Sequence, residues 1–151
     1  MPSKQPRTWI LVADSARARA LRWSGRDEPL EAIEGFDLSY QHQRSRDIMS
    51  ERPGRVHESS GVTRHAIEPR ADPARQAELR FAHTVVRILE ERFAGHEFER
   101  FVLVAGPSTL GDLRGALSAK LQSAILAELD KNLMHLPNAE LKQHLANAAI
   151  L

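Results

Sequence analysis

Trp9-Ile10-Leu11-Val12-Ala13, stopped by Asp14-Ser15, is the stretch that decides how this chain folds. It is continuously apolar, rich in strand formers and too short for a buried helix. An unbroken apolar run of this length reads as a central strand covered on both faces, because a half-exposed strand would alternate. Ala16 to Trp23 follows after a tight turn as a second strand, with Arg17 and Arg19 sharing a face with Leu21 and Trp23. Ser24 to Pro29 is a cluster of turn formers, and Leu30 to Leu38 gives a third strand with partial alternation around Ile33 and Phe36. Three strands joined by short connections predict an antiparallel meander.

The second half changes period. Asp72-Pro73 is a helix start, an acceptor at the N-cap followed by Pro at the first helical position. Ala82, Val85, Val86, Leu89 and Phe93 form one apolar stripe, and Gly95 is the expected stop. Phe101-Val102-Leu103-Val104-Ala105 is a second buried strand, closed by Gly106-Pro107. Thr109 and Asp112 have the spacing of a capping box, and Leu110, Leu113, Leu117 and Leu121 give one continuous helical face. Ala124 to Leu129 reads as a last strand near an edge, and Asn138 to Ala148 as a C-terminal helix with Leu141 and Leu145 inward. Pro137 stands where Ser or Thr would cap that helix better. A meander followed by alternating helix and strand predicts an α/β mixed sheet of ribonuclease H-like architecture, its later strands parallel.

The 151 residues are enough for one domain with a core that needs no staples. Charged residues at 27% and apolar ones at 42% fit a globular chain. A net charge of +1 argues against whole-surface nucleic-acid binding and leaves a local patch open. Met1 to Arg26 is lopsided, six cations against the single acid Asp14. With no cysteine, thiol catalysis and disulfides are excluded. Thr8 to Ala13 is too short for a signal-peptide core and nothing approaches a membrane span, so the expected location is cytoplasmic, with no membrane partner.

Ser39 to Ala71 is a long polar segment of mixed charge, for which mobility is expected until a partner binds. Within Glu51 to Pro69, Arg52, Arg55, Arg64 and His65 are the candidate contacts to a polyanion, with Ser59, Ser60 and Gly61 at the turn. Guanidinium forks grip phosphate oxygens in pairs, and glycine lets backbone amides approach closely. Ser59, Ser60 and His65 have no nucleophile-elbow pattern around them, and loop serines beside glycine are more often turn formers. His42, His57 and His65 lack the tight spacing of a zinc site, so no metal or other cofactor is expected. Asp14 ends the first buried strand, where a ribonuclease H-like nuclease keeps a metal carboxylate. Two-metal chemistry needs several converging acids, and Phe101 to Ala105 supplies none, so a turn-capping aspartate is the simpler reading. Gly106 to Gly111 joins a buried strand to a helix N-terminus and reads as an ordinary helix start rather than a phosphate loop, since it lacks the Walker lysine.

Asp-Ser-Ala-Arg-Ala-Arg at 14–19, Ser-Ser-Gly-Val-Thr-Arg-His-Ala-Ile-Glu-Pro at 59–69, Asp72-Pro73, Phe81-Ala82, Phe101 to Pro107, Leu110-Gly111 with Leu113-Arg114, and His135-Leu136 with Ala139-Glu140-Leu141 resemble the bacterial host-attachment protein family over nearly the whole chain. That family is similar to the central domain of archaeal and eukaryotic peptide-chain release factors, which has a ribonuclease H-like fold. The resemblance implies a translation or ribosome setting and RNA as partner. It does not carry over peptide release, because no Gly-Gly-Gln occurs in this chain. The expectation is a non-catalytic protein that binds RNA or the ribosome through its basic loop. The competing readings are a protein-interaction module for attachment to host cells, and a hydrolase or nuclease using Asp14 or the loop.

Overall fold

The computed structural model describes residues 6–40 and 72–151. Its strands are β1 (Thr8–Ala13), β2 (Arg17–Trp23), β3 (Glu31–Ser39), β4 (Arg100–Ala105) and β5 (Ile125–Asp130). The helices are α1 (Pro73–Ala94), α2 (Pro107–Ala116), the single-turn α3 (Ala119–Ser123) and α4 (Asn138–Asn147). The five strands form one mixed open sheet in the order β3-β2-β1-β4-β5. β1 pairs antiparallel with β2 and parallel with β4, so the apolar run is central as expected. β2 and β3 complete the antiparallel meander, and β5 lies parallel to β4 at the far edge.

The period-2 geometry of β1 splits its side chains between two cores. Trp9, Leu11 and Ala13 join Ala18, Ala20, Phe101 and Leu103 under α1, α2 and α3. Ile10 and Val12 join Leu21, Val102 and Val104 under Leu133, Met134 and α4. The amphipathic stripe of α1 buries Phe81, Ala82, Val85, Val86 and Leu89. Full burial of a side chain such as Leu89 contributes about 1.5–3 kcal/mol. On α4 the inward residues are Leu141 and Leu145.

Ile33 and Phe36 are three apart, yet both face the α1 side. The β2–β3 register accounts for it: Arg19 pairs with Asp37 and Leu21 with Ala32, so β3 bulges between them. Gly35 makes the bend at φ +80°. Arg92 then fastens it. Its guanidinium donates to the Glu34 carbonyl at 2.6 Å and to Glu97 at 2.6 Å, and stands 5.8 Å over the Trp9 ring. Trp9 itself stacks on Phe98 at 4.5 Å, and its buried indole N–H has no acceptor among the described residues.

α1 stops as expected, at Ala94 with Gly95 as its C-cap at φ −82°, and the left-handed residue is the next one, His96 at φ +61°. The amides of His96 and Glu97 reach back to the carbonyls of Phe93 and Arg92, a Schellman closure with histidine in the position glycine usually fills. Thr109 does not cap α2. The helix begins three residues earlier than that cap would set it, at Pro107, with Gly106 as an N-cap that has no side-chain acceptor, and Asp112 is engaged elsewhere. The leucine face over 110–121 is real, but the helix breaks at Leu117, and Ser118 starts α3 by accepting from the Leu121 amide. Glu90 holds that break by accepting from the Ser118 amide and hydroxyl.

Pro137 does leave α4 without a side-chain cap. Arg19 supplies no acceptor for the free amides, but it ties the start of the helix to β2, donating to the Leu136 carbonyl at 2.7 Å and Asn138 Oδ1 at 2.6 Å. Partial burial and the neighbouring Arg17 lower the Arg19 pKa from its ordinary value.

Gly35→Ala is expected to destabilise the protein by about 1–2 kcal/mol, because a Cβ at positive φ is strained. That Cβ would also meet the Arg92 guanidinium at 3.0 Å. Urea unfolding measures the loss. The fork of Arg114 on Glu128, at 2.8 and 3.1 Å, ties α2 to β5 and lowers the Glu128 pKa. A depressed carboxylate pKa contributes stability above the unfolded value, which fades as pH falls through the folded one. Glu128→Gln should therefore cost stability at neutral pH and flatten the acid side of the stability profile.

Candidate functional site at the carboxyl edge of the sheet

Open α/β sheets bind ligands outside the carboxyl ends of their parallel strands. Here that edge is formed by the residues after β1 and β4, Asp14-Ser15 and Gly106-Pro107. Asp14 Oδ1 accepts from the amides of Ala16 at 2.8 Å and Arg17 at 2.7 Å, and the Asp14 amide donates to the Arg17 carbonyl. This is a side chain stabilising its own turn. The turn-capping reading of Asp14 holds.

Two further anchors meet there. The Tyr40 amide donates to the Ala16 carbonyl at 2.6 Å, and its ring meets Phe81 of α1 edge-on at 6.5 Å. Asp72 caps α1 by accepting from the Ala74 amide. In the first turn of α1, Arg75 forks onto both oxygens of Asp112 at 2.6 and 2.7 Å and onto Glu78 at 2.9 Å. These bonds, Asp112 first, raise the Arg75 pKa. The Asp112 side chain is only 10% exposed, so the pair is the clamp between α1 and α2.

Between these anchors lies a cavity of about 10 Å³ bounded by Asp14, Ser15, Glu78, Phe81, Thr109 and Asp112. It has room for about one water molecule and no more. Its carboxylates are all engaged within the protein, and no histidine lines it. Among the described residues no three His, Asp or Glu side chains gather as metal ligands.

The candidate anion contacts Arg52, Arg55, Ser59, Ser60, Gly61, Arg64 and His65 lie outside the described residues, as do His42 and His57. What the structure places is their flanks. Tyr40 is tied to the Asp14 turn through Ala16, and Asp72 starts the helix whose Glu78 and Phe81 bound the same small cavity as Asp14. Sequence reading missed Arg75, Arg92 and Arg19, whose partners are 37, 58 and 119 residues away at the farthest. Only the position of Arg75 in the first turn of a capped helix hinted that it needed an acid.

Asp14→Ala removes the acceptor of two turn amides. The expected cost is about 1–2 kcal/mol in urea unfolding, with the far-ultraviolet spectrum unchanged.

A search of the curated proteins finds no match. A family model described as "Protein required for attachment to host cells" matches residues 9–145, from β1 to the last buried leucine of α4. The match takes in all five strands apart from Thr8 and both covering layers up to Leu145, and the chain belongs to that host-attachment family.

Proposed function

We propose that this attachment-family protein works by binding and not by catalysis, and that its partner is RNA, met in a translation-related setting in the cytoplasm. The arginines of the 51–69 stretch make the contacts, with Arg55, Arg64 and His65 on phosphate and Gly61 supplying the turn. One observation carries this reading. The residues on either side of that stretch are fastened at the carboxyl edge of the sheet, Tyr40 to Ala16 and Phe81, Arg75 to Asp112 and Glu78. That is the edge from which sheets of this kind present ligand-binding segments. The engaged carboxylates of Asp14, Glu78 and Asp112 favour binding over hydrolysis. The strand order β3-β2-β1-β4-β5, with an antiparallel meander first, supports a ribonuclease H-like architecture akin to the release-factor central domain.

Anisotropy of a labelled single-stranded RNA oligonucleotide, measured over a salt series, tests the reading. Phosphate contacts make log K fall linearly with log salt, by roughly 0.7 per contact. Arg55→Ala with Arg64→Ala should flatten that slope by about 1–2 and weaken binding. Absent binding, or affinity indifferent to salt and to the double variant, refutes it.

The family description favours a second reading, a protein-interaction module used in attachment itself. Cell fractionation separates the two, since recovery at the cell surface supports the module and recovery with ribosomes supports RNA.

A further inference from the structure

The opposite end of the molecule holds a larger concavity. At the amino-terminal edge of the sheet a groove of about 710 Å³ opens between the first residues of β4 and β5 and the last turn of α4. Its apolar lining comes from Trp23, Leu126, Ile150 and Leu151, with Leu145 behind them in the core. Two backbone devices build it. The β4–β5 register slips between Phe101↔Ile125 and Val102↔Ala127, which leaves Leu126 as the extra residue of a bulge, 39% exposed. α4 closes with a Schellman turn, Ala149 at φ +59° and the Ile150 amide on the Leu145 carbonyl, and this folds Ile150 back onto the groove.

Three cations share the same groove: Arg26, Arg100 and Lys142. Eight ion pairs form among the described residues, and none of them uses these three. Each is nevertheless positioned. Arg100 donates through Nε to Thr8 Oγ1 at 2.7 Å, which leaves its two terminal nitrogens without a partner among the described residues. Lys142 donates to the carbonyls of Arg26 and Glu28, so it is held without an ion pair among the described residues, and the turn carrying Arg26 is pinned beside it. Cations without an ion pair among the described residues, beside apolar side chains, match a ligand with one anionic head and a hydrocarbon body. A nucleotide fits poorly, since no side-chain amide or hydroxyl lines the groove to read a base. The volume lies within the range of small-molecule sites, about 300–1,000 Å³.

We propose that this groove binds a medium-chain aliphatic carboxylate, its head on Arg26, Arg100 and Lys142 and its chain along Trp23, Leu126 and Ile150. The site is remote from the carboxyl edge, and its test is independent of the RNA reading.

The chain has two tryptophans, and Trp9 is buried in the core, so Trp23 emission reports on the groove. The probe is decanoate, kept below its micellar range, titrated into the full-length protein. Saturable change in emission is expected, and Trp23→Phe should remove it. Affinity should rise roughly threefold to fourfold per methylene from hexanoate to decanoate. Decanol, lacking the charge, should bind about tenfold more weakly. Arg26→Gln with Arg100→Gln should bring decanoate down to the decanol level. If that double variant melts earlier than the parent, Leu126→Asp on the exposed bulge serves instead and should abolish binding. The proposal fails if decanoate and decanol bind alike, if chain length has no effect, or if Leu126→Asp binds normally. It also fails if the protein sediments with phosphatidylglycerol vesicles while free decanoate gives no saturable signal, which would make the groove a lipid-surface contact.

Discussion

Everything in this protein hangs on a strand with no exposed side. The six residues of β1 are buried, paired by backbone on both edges and covered by helices on both faces. A strand so placed leaves no hydrogen-bonding group for water, so its neighbours must satisfy every amide and carbonyl. That demand sets the register of β2 and β4 against it, and a slip of one residue would exchange the two cores. Ala13 pairs with Ala18 on one side and Ala105 on the other. The turn at Asp14 and the start of α2 at Gly106 are thereby brought to one edge.

The two ends of the sheet are then given different work. At the carboxyl edge charge is spent internally: Asp14 on its turn, Arg75 on Asp112 and Glu78. These contacts hold α1 against α2 and fasten the flanks of the arginine-rich stretch. At the amino-terminal edge Arg7 pairs with Glu99, but two cations of the groove are held by neutral acceptors instead, a threonine hydroxyl for Arg100 and two carbonyls for Lys142. The first arrangement is a clamp. The second leaves positive charge facing a groove.

Arginine does most of the long-range fastening. Arg92 pins the β3 bulge, Arg19 ties the start of α4 to β2, Arg75 joins two helices and Arg114 ties α2 to β5. The planar fork suits this, since one side chain can meet two acceptors at fixed spacing. Half-exposed pairs of this kind contribute little stability singly, and their value lies in fixing geometry.

The sequence by itself determined the elements and their types. Apolar runs at 9–13 and 101–105, the stripe from Ala82 to Phe93, and the start at Asp72-Pro73 are local signals, and short-range sterics and periodicity are enough to read them. Even the role of Asp14 was legible, because an Asx turn is made within four residues. Tertiary structure alone decided the ends and the sites. His96 could take the left-handed position because the Arg92 and Phe93 carbonyls needed donors, and no propensity marks histidine for that. Asp112 left its capping spacing because Arg75, far off in sequence, reached it first. The groove joins Trp23, Arg100, Leu126 and Lys142 from four separate elements, and sequence spacing carries no trace of a surface that exists only once the sheet has brought its edge residues together.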